Sequence, residues 1–104
     1  MPKAQPVMTV TPSSVSIGQD YTISGGTEFR AAAHKDGLLH FGLANPGCCV
    51  YAAVRPAADG SFEWRAGQSP IGLPGFPGTY RFNIIGFRKN GGLYTFASVA
   101  VPVA

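Results

Sequence analysis

Two histidines, five carboxylates and two adjacent cysteines are the residues of this 104-residue chain with the chemistry for catalysis or metal binding. His34 and His40 stand apart, with no cysteine or carboxylate around them at the spacing of a metal site. The acids Asp20, Glu28, Asp36, Asp59 and Glu63 are scattered singly. Asp59 precedes a glycine, in a turn where aspartate is favoured for the hydrogen bonds it makes to its own backbone. No Gly-x-Ser-x-Gly elbow or phosphate-cradling glycine loop occurs, and Gly25-Gly26 reads as a strand end. His40 would share a face with Leu38 and reads as a partly buried strand residue rather than a ligand. The expectation is therefore no enzyme, no metal and no cofactor. A pocket joining His34 or His40 to a carboxylate would revive a small enzyme or inhibitor.

Cys48 and Cys49 point to opposite faces if they lie in a strand, which forbids an ordinary bridge between them. A strained vicinal disulfide is the alternative to two small apolar packing residues. With no disulfide framework, the fold must stand on its core, which suits synthesis in a reducing cytoplasm.

The elements that would position these residues are strands. No segment of helical length keeps an apolar stripe free of Gly or Pro, and fourteen Gly and nine Pro punctuate the chain. Between them lie short runs rich in Val, Ile, Thr, Tyr and Phe, which is the all-β pattern. The first strand covers 7–11, followed by a turn region over 13–19 with Val15 and Ile17 touching the core. The second covers 20–25, with Tyr21 and Ile23 inward. A helical turn fits Arg30–His34.

The third strand covers 37–43, with Leu39, Phe41 and Leu43 on one side. Asn45-Pro46-Gly47 is a turn, the fourth strand covers 48–55, and a hairpin turn follows at Asp59-Gly60. The fifth strand, 61–65, points Phe62 and Trp64 inward. Trp64 reads as core; a sugar-stacking role would require it to face solvent. The sixth strand, 79–87, alternates Tyr80, Phe82 and Ile84 against Arg81 and Asn83. The last covers 93–101. Seven short strands in one domain over 1–104, with a short N-terminal tail at 1–6, fit a two-sheet sandwich.

Two strands lack alternation. Residues 48–54 are apolar throughout. The last strand sets Leu93, Ala97, Val99 and Val101 on one face and Tyr94 and Phe96 on the other. A sheet wetted on one side should alternate, so an apolar outer face points to a partner. Charged residues make up only 12% of the chain, which agrees with a surface partly covered by a neighbour. The candidate interface residues are Cys49, Tyr51 and Ala53 of the fourth strand, Tyr94 and Phe96 of the last, and Leu73 and Phe76 of the Gly/Pro-rich loop at 67–78. That loop holds two collagen-like triplets, far too few for a triple helix.

The net charge of +3 is scattered, so nucleic acid is not an expected partner. No apolar run approaches the roughly 20 residues that span a bilayer, and no signal-peptide core is legible after Met1, so neither membrane nor export is expected.

Three blocks carry a resemblance. Thr9-Val-Thr-Pro-Ser-Ser-Val-Ser-Ile-Gly18, continuing to Tyr21-Thr-Ile-Ser-Gly-Gly26 and Phe29, resembles the opening of bacterial and bacteriophage Ig-like domains. Ala58-Asp-Gly-Ser-Phe62 is similar to that family's Asp-Gly-Ser-Phe hairpin, and Pro77-Gly-Thr-Tyr-Arg-Phe82 to its entry into the penultimate strand. Residues 38–55 depart from the pattern. The resemblance implies an immunoglobulin-like sandwich. Together with the missing export signal, it implies a virion accessory protein made in the host cytoplasm, a capsid decoration or tail component. Its partners would be other virion proteins, with a homo-oligomer or a host surface glycan as further possibilities. A carbohydrate- or cell-surface-binding module is the alternative function.

Overall fold

The computed structural model describes residues 6–44, 49–69 and 71–104. Seven strands follow in chain order: β1 (Met8–Thr11), β2 (Thr22–Gly25), β3 (Leu39–Ala44), β4 (Cys49–Val54), β5 (Phe62–Arg65), β6 (Gly78–Phe87) and β7 (Leu93–Val103). They form two antiparallel sheets, ordered β1-β2-β5 and β4-β3-β6-β7. The chain crosses between sheets after β2, β4 and β5, so the whole is an immunoglobulin-like sandwich.

The alternating residues of both inner faces fill the core. Phe41, Phe82 and Ile84 of the four-stranded sheet are fully enclosed, and Ile23, Phe62 and Trp64 meet them from the three-stranded sheet. Phe41 and Phe82 stack at 4.4 Å, and Trp64 meets the Phe41 ring edge-on at 5.3 Å. Each buried aromatic or branched residue contributes roughly 1.5–3 kcal/mol of transfer free energy, so these rings dominate the fold's stability. Tyr21 is buried beside them; burial pushes its hydroxyl up to about 12, with Tyr80 and Asp20 adding to the effect.

The short helical turn falls at Thr27–Ala32, ahead of the expected Arg30–His34, because Phe29 is its core anchor. Phe29 lies across Gly25, where a Cβ would meet its ring at 2.5 Å. Asp59 makes the expected turn: its Oδ1 accepts from the Ser61 N–H at 2.9 Å and hydroxyl at 2.6 Å, and Gly60 takes φ +96°. The hairpin expected there is corrected. The turn joins β4 and β5, which belong to different sheets, so it carries the chain across the sandwich.

The entry to β6 is pinned by Tyr80. Its hydroxyl donates to the Phe76 carbonyl at 2.8 Å and accepts from the Phe76 N–H at 3.2 Å, the tyrosine corner of such sandwiches.

Val15 enters the core as expected, but Ile17 does not and is 48% exposed. The reason is that residues 15–17 run along the outside of β7. The Val15 N–H donates to Pro102 O at 3.0 Å, the Ala104 N–H to Val15 O at 2.9 Å, and the Ile17 N–H to Ala104 O at 3.0 Å. Only Val15, on this line, reaches inward.

Candidate functional site

The outer face of the four-stranded sheet is built from the residues that alternate with the core. On β3 these are His40, Gly42 and Ala44; on β4 their register partners are Ala53, Tyr51 and Cys49. On β6 they are Arg81, Asn83, Ile85 and Phe87, and on β7 Ser98, Thr95 and Leu93.

Gly42 shapes this face. It is a glycine inside a strand whose other residues, His40 apart, are apolar, and the Tyr51 ring lies over it, 3.3 Å from where a Cβ would sit. With no side chain at Gly42, a groove of about 340 Å³ opens between Tyr51 and Leu93, floored by Gly42, Asn83 and Thr95. Cys49 and Tyr94 border it. Tyr51 is 72% and Leu93 63% exposed, and Phe87, the register partner of Leu93, is exposed as well. The result is two exposed apolar groups on one face: Tyr51 in the row of Gly42, Asn83 and Ser98, where the Ser98 hydroxyl donates to Asn83 Oδ1 at 2.7 Å, and the Phe87–Leu93 pair beyond the row of His40, Ile85 and Thr95.

The expected contact residues separate into three groups. Cys49 and Tyr51 line the groove from β4, and Tyr94 borders it from β7 while its ring turns to the inner side over Gly86. Ala53 is exposed on the same face, one pair further along, opposite His40. Leu73 and Phe76 are exposed on the loop beside Tyr21 and Tyr80, and line a separate cleft.

Phe96 is corrected. It is half-buried, packs against the core and meets the Phe29 ring edge-on at 5.6 Å. The cause is a β-bulge: Ile84 pairs with Ala97 and Ile85 with Thr95, leaving Phe96 as an extra residue. An extra residue shifts the alternation by one. Leu93, expected on the same face as Ala97, therefore lies on the outer face, and Ala97 on the inner. Tyr94 pairs with Gly86, and its ring fills the space a side chain there would take, with the Arg88 guanidinium 5.0 Å from its centre.

The histidines and Asp36 gather at one end of this face. His40 Nε2 donates to Asp36 Oδ2 at 2.8 Å, and His34 Nε2 donates to the Ile85 carbonyl at 2.8 Å. The two rings stack at 4.2 Å. The Leu38 N–H, and next the His40 hydrogen bond, hold the Asp36 carboxyl below its usual value. The sequence spacing did not suggest this contact, because the turn at 36–38 folds Asp36 back beside the strand. Asp36 and His40 are each more than a third exposed, and both Nε2 atoms are already engaged. Among the described residues, no group of three or more His, Cys, Asp or Glu is placed to hold a metal ion.

Cys49 is exposed at the start of β4. Cys48 and the Asn45-Pro46-Gly47 turn lie outside the described residues. Sequence reasoning found the apolar character of β4 but missed the groove, which needed Gly42, Asn83 and Leu93. Gly42 was the available signal, since a glycine within a strand marks a close approach of other atoms.

Comparison with known proteins gave no match to a family model, a curated protein or a solved structure.

Proposed function

We propose that this chain is a non-enzymatic virion accessory protein of a bacteriophage, an Ig-like module that docks on capsid or tail proteins through the outer face of its four-stranded sheet. The observation that carries the reading is the exposure of Tyr51 and Leu93 on the two sides of the Gly42 groove, with Phe87 exposed beside Leu93. Large apolar side chains grouped on one face mark an interaction surface, whereas scattered ones are ordinary. Tyrosine is a favoured anchor in such surfaces because it brings area, a rigid ring and one polar atom. The three sequence blocks that resemble phage and bacterial Ig-like domains support the virion as the setting.

Mass spectrometry of purified particles tests the reading. The chain is expected among the virion proteins, and the double variant Tyr51→Ser with Leu93→Ser is expected to fold with an unchanged melt yet be lost from particles. Particles that lack the wild-type chain, or that retain the variant in full, overturn it.

A second reading, binding of a host surface glycan, draws on the row Tyr51, Gly42, Asn83 and Ser98, which sets an exposed ring beside an amide and a hydroxyl. Binding on a glycan array that Tyr51→Ser abolishes would favour it over docking on virion proteins.

A further inference from the structure

We infer that two copies of this chain pair through β4, edge to edge and antiparallel, to make one continuous sheet across a twofold axis.

A sheet edge exposes unpaired N–H and C=O groups, and proteins that stay monomeric blunt it with short strands, charges, proline, bulges or a covering segment. Three of the four edges here carry such devices. β1 has four residues and runs into Pro12, and β5 has four, two of them Glu63 and Arg65. β7 has a bulge at Phe96, Pro102 near its end, and residues 15–17 bonded along its last turn of chain. Among the described residues, β4 has none of these. Its six residues pair with β3 in an unbroken register from Leu39↔Val54 to Ala44↔Cys49, and none of the six is charged or a proline. Among the described residues, no strand lies on its other side.

The occupant follows from this pattern. A strand without charge meets no like-charge repulsion when it faces itself. A twofold axis normal to the sheet at Tyr51 or Ala52 pairs Val50 with the partner's Ala52 or Val54, apolar against apolar. Arg55, the first charge after the strand, then lies at opposite ends of the joint in the two copies, whereas parallel pairing would set the two arginines side by side. A single open edge used by a twofold closes on itself as a dimer and leaves nothing to extend into a fibre. Two four-stranded sheets become one of eight strands, with both Gly42 grooves on the same side. The strand is about 20 Å long, so backbone pairing alone covers little area, and the exposed Val50 and Tyr51 side chains supply the rest.

Sedimentation equilibrium of the purified chain under reducing conditions tests this, because reduction removes any disulfide-linked dimer. The wild type is expected to double in mass with rising concentration. Hydrogen exchange should slow over Val50–Val54 in step with the dimer. Val50→Lys with Ala53→Lys places four ammonium groups along the joint and is expected to return the monomer mass with an unchanged melt. A wild type that stays monomeric at every concentration overturns the inference. So does a dimer whose protection falls on another strand, even if the lysine variant fails to fold. Neither outcome touches docking on virion proteins, which the particle experiment reads separately.

Discussion

Strands β4 and β7 lie at opposite edges of one sheet, and both are rich in apolar residues in the sequence. Their surroundings differ. The second half of β7 is enclosed: Val101 is fully buried, Val103 nearly so, and residues 15–17 bond along the outside. β4 has no fully buried residue; Ala52 and Val54 are half-buried against the core, and Val50 and Tyr51 stand in solvent. The same residue types thus do two jobs. In β7 they hold the domain together, and in β4 they are left available for another molecule.

Truncation separates these jobs most sharply. Phe96→Ala removes a ring wedged against Phe29 and is expected to cost about 2–3 kcal/mol, and Val15→Ala, which loosens the cover on β7, about 2 kcal/mol. Tyr51→Ala and Val50→Ala in dilute, monomeric protein are expected to stay within about 0.5 kcal/mol. Urea unfolding of the four variants checks this. Equal losses at both edges would erase the contrast.

Tyr80→Phe probes the other exposed apolar group. Loss of the hydroxyl that bridges the Phe76 N–H and carbonyl should cost about 1 kcal/mol and speed hydrogen exchange at Phe76, leaving β4 exchange untouched. If exchange at Phe76 does not change, the Leu73/Phe76 loop is held by something other than that corner.

Acid gives the smallest effect. The Asp36 carboxyl, beside the β3–β4 face, titrates below its ordinary value in the folded chain. A depressed folded value contributes stability that is present above the ordinary carboxylate range and lost as pH falls through the folded one. Asp36→Asn should therefore melt slightly below wild type at neutral pH and converge with it in strong acid. Because the group is exposed and screened, the gap is expected to be small.

The core was legible because its elements keep a strict period of two. Ile23, Phe41, Phe62, Trp64 and Phe82 were all placed inward by alternation alone, and the structure buries each of them. Alternation failed where a long-range event changed the rules. The Phe96 bulge is set by pairing with Ile84 and Ile85, so no local pattern within β7 announces it. The Asp59-Gly60 turn was recognisable as a turn, yet which sheet receives the next strand depends on the packing of Phe62 and Trp64 against the far side. Ile17 is apolar and sits two residues from Val15, but a segment laid along an edge buries only the side that touches it. The groove was hidden for a related reason. Its floor is made by an absence of side chain at Gly42, and its walls come from β4 and β7, which are not neighbours in the sheet.

The extra residue in β7 acts as a phase shifter along a single strand. On one side of Phe96 the odd-numbered positions answer to the interior; on the other they answer to whatever lies outside. Residues 93 and 95 are thereby released from the packing that constrains 97, 99 and 101, and can change to suit a new neighbour while the hydrophobic interior stays as it is. Deleting that one residue would leave Ile84 paired with Ala97 and Ile85 with Thr95 in an unbroken ladder, so Leu93 would stay opposite Phe87 on the outer face and only the wedge of Phe96 against Phe29 would be lost.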